Sequence, residues 1–428
     1  MRQKYILPFV LVLWTGIICA QKYDLNYFLE QSKMTSPLIQ KNKNDNKIID
    51  LDLQQIERVL KTPEINLESN ILFAPIISHD TNPSSLVISS NGATSYAGYD
   101  LGITNGGQYQ AFVSVKQPLL GNMNLKVYSQ KSDISRKQNE NSTTMTIHEM
   151  EQLVGYQYLL CLKSKAQLKN VTEIVQLIDE QINIMKKLVN NAIYKQSDLM
   201  LLEIERQNQK LNTKSFDDEY KSNLYDLNLL CGIKDSARID IEEIDLQLNQ
   251  QTITNSQFLT SYKLDSLSIL ADQSISELKY KPQLSAFANA GYNATGIPSF
   301  DRFGVSAGLT FSWNLYDGNQ RKLEREKTNV NIQTQQFEKN HFVTQQEINK
   351  NKIKSQLKAL DERRSILENQ LLQYDKLYKL YENELTQGLV SVMDFKNLLK
   401  DITSKKQDFL LLNMEKQLLI NSFNYWNY

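Results

Sequence analysis

Two stretches decide the architecture: Ala192-Ile193-Tyr194-Lys195-Gln196-Ser197-Asp198-Leu199 and Gly388-Leu389-Val390-Ser391-Val392-Met393-Asp394-Phe395. Few positions are identical, but the second stretch follows the first at an offset of 196 residues. The same offset separates Leu119 in Gln117-Pro118-Leu119-Leu120-Gly121-Asn122 from Leu315 in Trp313-Asn314-Leu315-Tyr316-Asp317-Gly318. A constant offset at two distant anchors, with no net insertion between them, is the mark of a chain written twice.

Between the anchors both copies keep one heptad register. In the second copy Ile353, Leu357, Leu360, Leu367, Leu371, Tyr374, Tyr378, Tyr381 and Leu385 fall at alternating steps of three and four, with Arg364 the one interruption. The same positions in the first copy are Gln157, Cys161, Ser164, Leu168, Val171, Val175, Ile178, Ile182, Met185 and Val189. A sustained 3,4 alternation is a coiled-coil seam. No proline interrupts 122–191 or 318–388, so each stretch is predicted to be a single helix of roughly 68 residues, about 100 Å long at 1.5 Å per residue. A returning helix follows each, and Phe395, Leu398, Ile402, Phe409, Leu412 and Leu419 carry the seam onto the second. Each half is thus read as a long helical hairpin turning at Ala192 or Gly388.

Ahead of each hairpin the period changes from 3.5 to 2. Ile65, Leu67, Ile71 and Phe73 alternate with polar residues, as do Tyr109, Ala111, Val113 and Val115. In the second copy Leu284, Ala286, Ala288, Ala290 and Tyr292 alternate, then Phe303, Val305, Ala307, Leu309, Phe311 and Trp313. Such segments are either half-buried strands on a core or membrane strands, which need about 9–11 residues. Their length and the aromatics Tyr109, Tyr292, Trp313 and Tyr316 near the strand ends favour the membrane, where aromatics gather at both interfaces. Four strands cannot close a barrel, and open edges in lipid leave backbone groups unsatisfied, so two or more chains must build one together.

Composition narrows the rest. The 428 residues carry 48 basic and 48 acidic side chains, a balance that argues against a nucleic-acid partner. Three histidines and three cysteines stand apart, so no metal cluster, disulfide framework or catalytic constellation is expected, and the chain reads as a non-enzyme without cofactors. Met1-Arg2-Gln3-Lys4, the apolar run to Cys19, and Ala20-Gln21 read as an export signal over 1–20. A lipid anchor at Cys19 is the rival reading, although Ile18 is not the small residue such anchors place before the cysteine. Cys161 and Cys231 lie 33 and 37 residues from a turn near Tyr194, nearly level along the hairpin, so their pairing stays open.

With these features in place the chain resembles the TolC family of outer-membrane efflux proteins. The resemblance rests on the two strand-pair-plus-hairpin copies, the junction Leu315-Tyr316-Asp317-Gly318, the tip Gly388 to Phe395, and an opening helix from Tyr23 to Pro37. It implies a homotrimer whose 12 strands close a barrel in the outer membrane, continued by a 12-helix tunnel in the periplasm. It also implies a passive duct, fed by an inner-membrane pump through a periplasmic adaptor. Asp394, Asn397 and Asp198 then match pore-constriction positions, and Ala192, Ile193, Gly388 and Leu389 match adaptor contacts at the hairpin tips. Two departures stand out. Ala192 replaces a tip glycine, and Asn397 replaces an acid, so any constriction would carry less charge. The carboxylates of Asp394 and Asp198 have a second reading as helix-start residues in the positive first turn.

The resulting division is an export signal (1–20); a first copy over 21–232 with helix 24–61, strands 64–74 and 109–117 and hairpin 122–231; a connecting segment 233–257; and a second copy over 258–428 with helix 258–281, strands 283–292 and 303–313 and hairpin 318–426. A soluble periplasmic coiled-coil adaptor or spacer is the competing reading. It has no need of four strands of membrane length.

Overall fold

The computed structural model describes residues 23–80, 82–87, 95–97, 106–234, 240–249, 256–295 and 302–428. The export signal and Cys19 lie outside the described residues. The chain divides into two compact units, one of residues 1–39, 144–256 and 343–428, the other of residues 40–143 and 257–342.

The first unit is helical. It holds α1 (Leu25–Thr35), the distal part of α3 (Gly121–Asn190), α4 (Gln196–Leu230), the distal part of α6 (Gln320–Thr386) and α7 (Val392–Trp426). The boundaries keep the sequence offset: α3 and α6 end at 190 and 386, and α4 and α7 run over 196–230 and 392–426. Seam positions pack inward, with Cys161, Ser164, Val171, Ile178, Ile182 and Met185 buried on α3 and Ile353, Leu357, Leu360, Leu367 and Leu385 buried on α6. Arg364, the interruption, keeps the register because its guanidinium lies 5.5 Å above the Phe409 ring while bonding Glu368 at 3.0 Å. Its stem fills the apolar position and its charge reaches the surface.

One core of this unit gathers Phe28, Tyr158, Leu159, Tyr220, Leu224, Leu227 and Ile241. An extended strap, residues 240–249, lies against it. Tyr23 pairs with the strap through Tyr23 N–H to Asp240 O (3.0 Å) and Glu242 N–H to Tyr23 O (3.2 Å). Tyr158 Oη donates to Glu242 O at 2.7 Å. Further along, amides on α7 take over. Gln417 accepts from Leu246 N–H (2.7 Å) and donates to Asp245 Oδ1, while Asn424 accepts from Asn249 N–H (2.8 Å) and donates to Gln247 O (2.9 Å). Gln417 and Asn424 are two helical turns apart, so one face of α7 bonds the backbone of the strap at Leu246, Gln247 and Asn249.

Cys161 and Cys231 are both buried free thiols. Burial pushes each up to about 12.

The second unit holds α2 (Pro37–Lys61) from Gln40 onward, the proximal part of α3, α5 (Gln257–Ser276), the proximal part of α6 and a sheet. Where the sequence reads as one helix over 24–61, the chain forms two, α1 and α2. Ser36 is extended (φ −62°, ψ 118°) because the ring of Pro37 disfavours a helical residue before it, while proline itself suits the first helical position. The helix expected over 258–281 ends at Ser276 and tightens into a 3₁₀ turn, Glu277–Tyr280. Strands β1 (Glu64–Ala74), β5 (Gly106–Pro118), β6 (Gln283–Thr295) and β7 (Phe303–Ser312) form one antiparallel sheet in the order β1-β5-β6-β7. Three short strands, β2 (Ile76–Ser78), β3 (Ser85–Val87) and β4 (Tyr96–Ala97), make a separate small sheet between β1 and β5 in the chain.

Candidate functional site

Register fixes the chemistry of the four-stranded sheet. Ile65 faces Val115 and Leu67 faces Val113, which in turn faces Ala290, which faces Val305. Because side chains alternate, these residues share one face with Tyr109, Tyr292, Phe303, Leu309 and Phe311. That face is apolar apart from Ser69 and Gln117, and it is bare: Leu67 is 80% exposed, Val305 77% and Leu309 68%. The opposite face carries Glu64, Asn66, Glu68, Asn70, Ser114, Asn289, Ser306 and Thr310, and there Ser114 Oγ donates to Glu68 at 2.6 Å. β1 and β7 are edge strands, each paired on one side within this sheet.

The predicted interface aromatics fall at two levels. Tyr109 pairs with Ala294 and Tyr292 with Phe303, which it meets edge-on at 5.5 Å. Trp313 lies at the other end, just past β7, its Nε1–H donating to Tyr280 O at 3.2 Å, and exposed Tyr316 follows. Asp317 anchors this junction. Its carboxylate accepts from Tyr280 Oη (2.5 Å) and from Arg321 N–H (2.9 Å), and the tyrosine bond holds it below the usual carboxylate range. Glu277 is held low in the same way, first by Arg321 and then by Arg325.

The second candidate region is the pair of hairpin tips in the helical unit. Both long helices end in the same motif. Ile193 N–H reaches back to Leu188 O (2.9 Å) and Ala192 N–H to Val189 O (2.9 Å). Leu389 N–H reaches Glu384 O (2.9 Å) and Gly388 N–H reaches Leu385 O (3.2 Å). This is the Schellman end, which needs a left-handed residue at its bend. Gly388 supplies φ +72° and Ala192 φ +58°, so the alanine adopts the backbone that the departing glycine would have provided.

The tips meet. A Cβ on Gly388 would come within 3.0 Å of Ile193 Cγ2, and Tyr194 Oη donates to Val390 O at 2.8 Å. Beneath them Ile182, Met185, Leu199, Leu202, Leu385, Val392, Phe395 and Leu399 form one buried core, with Tyr378 and Tyr381 packed against it. Tyr378 and Tyr381 on the seam therefore pack. Burial pushes the Tyr378 phenol up to about 12, aided by Glu382. Leu389 is 72% exposed and Ile193 46%.

The predicted constriction residues sit just beyond. Asp198 accepts from Lys195 N–H at 3.0 Å; Asp394 N–H donates to Ser391 Oγ at 3.1 Å, and that hydroxyl donates back to the Asp394 carboxylate at 2.6 Å. Both carboxylates hold helix starts. Asp394 and Asn397 are exposed and Asp198 is half-buried. The hydrogen bond from Tyr194 and the strap on α7 are the contributions that the heptad pattern misses, since neither follows a helical or strand period.

No protein-family model matches the sequence, and no curated protein is similar to it. Solved structures do match. VceC, an outer membrane protein of Vibrio cholerae, superposes with a TM-score of 0.69 at 12% identity over 94% of this chain and 96% of its own. The outer-membrane channel OprN gives 0.69 at 11% identity over 94% and 89%. The open state of the Neisseria gonorrhoeae outer membrane channel MtrE gives 0.63 at 10% over 94% and 88%. The chain has the fold of these channels, which is the fold the TolC resemblance implies.

Proposed function

We propose that this chain is the outer-membrane channel of a multi-part efflux or secretion system, working as a homotrimer. The observation that carries the reading is the sheet: four strands with one exposed face that is apolar but for Ser69 and Gln117, and two open edges. In water such a face and such edges would drive aggregation. In a bilayer they are satisfied only by closure of the edges strand to strand. Three copies supply 12 strands, an even number within the range of bacterial barrels.

The strand length fits. Trp313 lies ten positions beyond Phe303, or about 33 Å along the strand. At a tilt of 35–45° that is about 23–27 Å of height, against an apolar band of about 25 Å. The aromatic pairs Tyr109 with Tyr292 and Trp313 with Tyr316 then mark the two interfaces, with outer-membrane lipid between them.

In this reading the two hairpins of each copy supply four helices to a 12-helix tunnel. The exposed tips, Ala192 with Ile193 and Gly388 with Leu389, meet a periplasmic adaptor, and an inner-membrane pump delivers the cargo. Asp394, Asn397 and Asp198 line the narrow end, so the carboxylates that hold the helix starts also set the charge of the opening. The duct itself is passive and performs no chemistry.

Purified in detergent and added to planar bilayers, the chain should migrate as a trimer and open steady ohmic pores. A monomer that stays soluble without detergent and conducts nothing would refute the proposal in favour of a periplasmic spacer.

A further inference from the structure

Three glycines on the polar face of the sheet, Gly291, Gly304 and Gly308, are not equivalent. Gly291 lies against the neighbouring backbone across the strand pair, where an added Cβ would collide with Ala111 O and Phe112 Cα. Gly308 is covered instead by the ring of Phe287, which a Cβ there would meet at 2.8 Å. Rings lying over cross-strand glycines are a recognised stabilising arrangement in sheets. Gly304 has no such cover, and nothing lies within 4 Å of where its Cβ would stand. The result is a cleft of about 590 Å³ on this face, whose lining includes Gln110, Phe112, Asn289, Asn293, Arg302 and Ser306.

The lining has a definite chemistry. Arg302 is its one charged side chain, and its place on the sheet is set by the bond from Asn293 N–H to Arg302 O at 3.1 Å. Gln110, Asn289 and Asn293 offer neutral amides, Ser306 a hydroxyl, and Phe112 a ring. Glu68 lies on the same cross-strand line but on β1, beyond Phe112, where it accepts from Ser114. A guanidinium with amides beside it suits a carboxylate or sulfonate, which it can grip with two hydrogen bonds. The ring and the uncovered glycine leave room for an apolar body, and the volume is that of a small-molecule site.

We propose that this cleft binds small organic anions, a carboxylate or sulfonate on an aromatic or apolar body. The inference rests on the channel reading for its setting: the polar face then lines the barrel lumen, three clefts ring the pore, and their arginines favour anionic cargo over cationic cargo.

The test uses the full chain and naphthalene-1-sulfonate as the probe, with 1-naphthylmethylammonium as its cationic counterpart. In planar bilayers the sulfonate should block the pore from the barrel side and the ammonium should not. Arg302→Gln should raise the half-blocking concentration about tenfold or more, as loss of a charge-assisted bond implies. Gly304→Leu should do the same while detergent-resistant trimers persist, because the new side chain enters open space. Isothermal titration of the sulfonate into detergent-solubilised protein reads the site even if no pore opens, so failure of the channel reading and failure of the site are separable. Equal binding by wild type and Arg302→Gln would overturn the proposal. So would loss of the trimer in Gly304→Leu, which would mean that a neighbouring copy's strand, with Leu72 as its one large apolar side chain on this face, fills the hollow.

Discussion

Exchanging the bend residues of the two hairpin tips should change their local stability in opposite directions. Ala192 holds φ +58° with its methyl exposed, so the methyl gains nothing from burial while it crowds the following carbonyl. A left-handed conformation costs a residue with a Cβ about 1–2 kcal/mol. Ala192→Gly removes that cost but adds about 0.4–1 kcal/mol of unfolded-chain entropy, leaving a net gain of about 0.5–1 kcal/mol. Gly388→Ala meets the same left-handed cost at φ +72°, and its new methyl would stand 3.0 Å from Ile193 Cγ2. The left-handed cost less the regained unfolded-chain entropy leaves a loss of about 0.5–1 kcal/mol, which the crowding against Ile193 raises to about 1–2 kcal/mol. Hydrogen exchange reads both locally. The Ile193 amide, bonded to Leu188 O, should exchange about 2- to 5-fold more slowly in Ala192→Gly. The Leu389 amide, bonded to Glu384 O, should exchange about 5- to 30-fold faster in Gly388→Ala. Unchanged protection in both variants, or slower exchange in Gly388→Ala, would refute the claim that the left-handed bend sets tip stability.

Four further outcomes follow from the geometry. Tyr194→Phe deletes the bond to Val390 O that joins the tips and should cost about 0.5–1.5 kcal/mol, seen as faster amide exchange at both tips. Gln417→Ala leaves Leu246 N–H without its acceptor; proteolysis should then cut the 240–249 strap, which stays intact in the parent. Glu277 is held below the usual carboxylate range by Arg321 and Arg325, so its stabilisation is present above the unfolded value of about 4.5 and is lost as pH falls through the lower folded value. Glu277→Gln should accordingly lower the thermal midpoint at neutral pH and match the parent near pH 3. Asp394→Ala should cost about 0.5–1 kcal/mol as a lost helix-start carboxylate and, in the channel reading, raise pore conductance in planar bilayers; unchanged conductance would leave Asp394 its helix-start role alone.

The parts of the fold that follow a period were legible in the sequence. The heptads of α3 and α6 and the alternation from Phe303 to Phe311 each repeat one physical requirement many times, so single exceptions such as Arg364 do not hide them. Parts set by a single contact were not legible. The Pro37 break between α1 and α2 was readable in principle, since a proline inside a helical run restricts the residue before it. The strap could not be read this way. Its partners Gln417 and Asn424 are ordinary polar positions on a helix until the extended backbone of 245–249 lies beside them, and that adjacency comes from residues more than 170 positions apart.

The candidate sites divide along the same line. Gly388 marked its bend by residue type, and Ala192 marked the other only through the 196-residue offset, because alanine by itself predicts continued helix. The aspartates at the two helix starts had two readings from sequence, and the observed hydrogen bonds account for the helix-start one at both positions. That does not remove the pore reading, because the same first-turn placement that lets Asp394 bond Ser391 also leaves it exposed beside exposed Asn397. A carboxylate needed to begin a helix is a stable place to hold a pore charge, since losing it also weakens the helix start. Asn397 has no such tie in the second turn. In the channel reading, a charge at 397 is therefore the one the fold adds or removes most easily, and Asn397→Asp should make the opening sensitive to divalent cations without altering tip stability. A conductance that falls on adding divalent cations in Asn397→Asp but not in the parent would support this. An unchanged response together with unchanged tip exchange would place position 397 outside the pore lining.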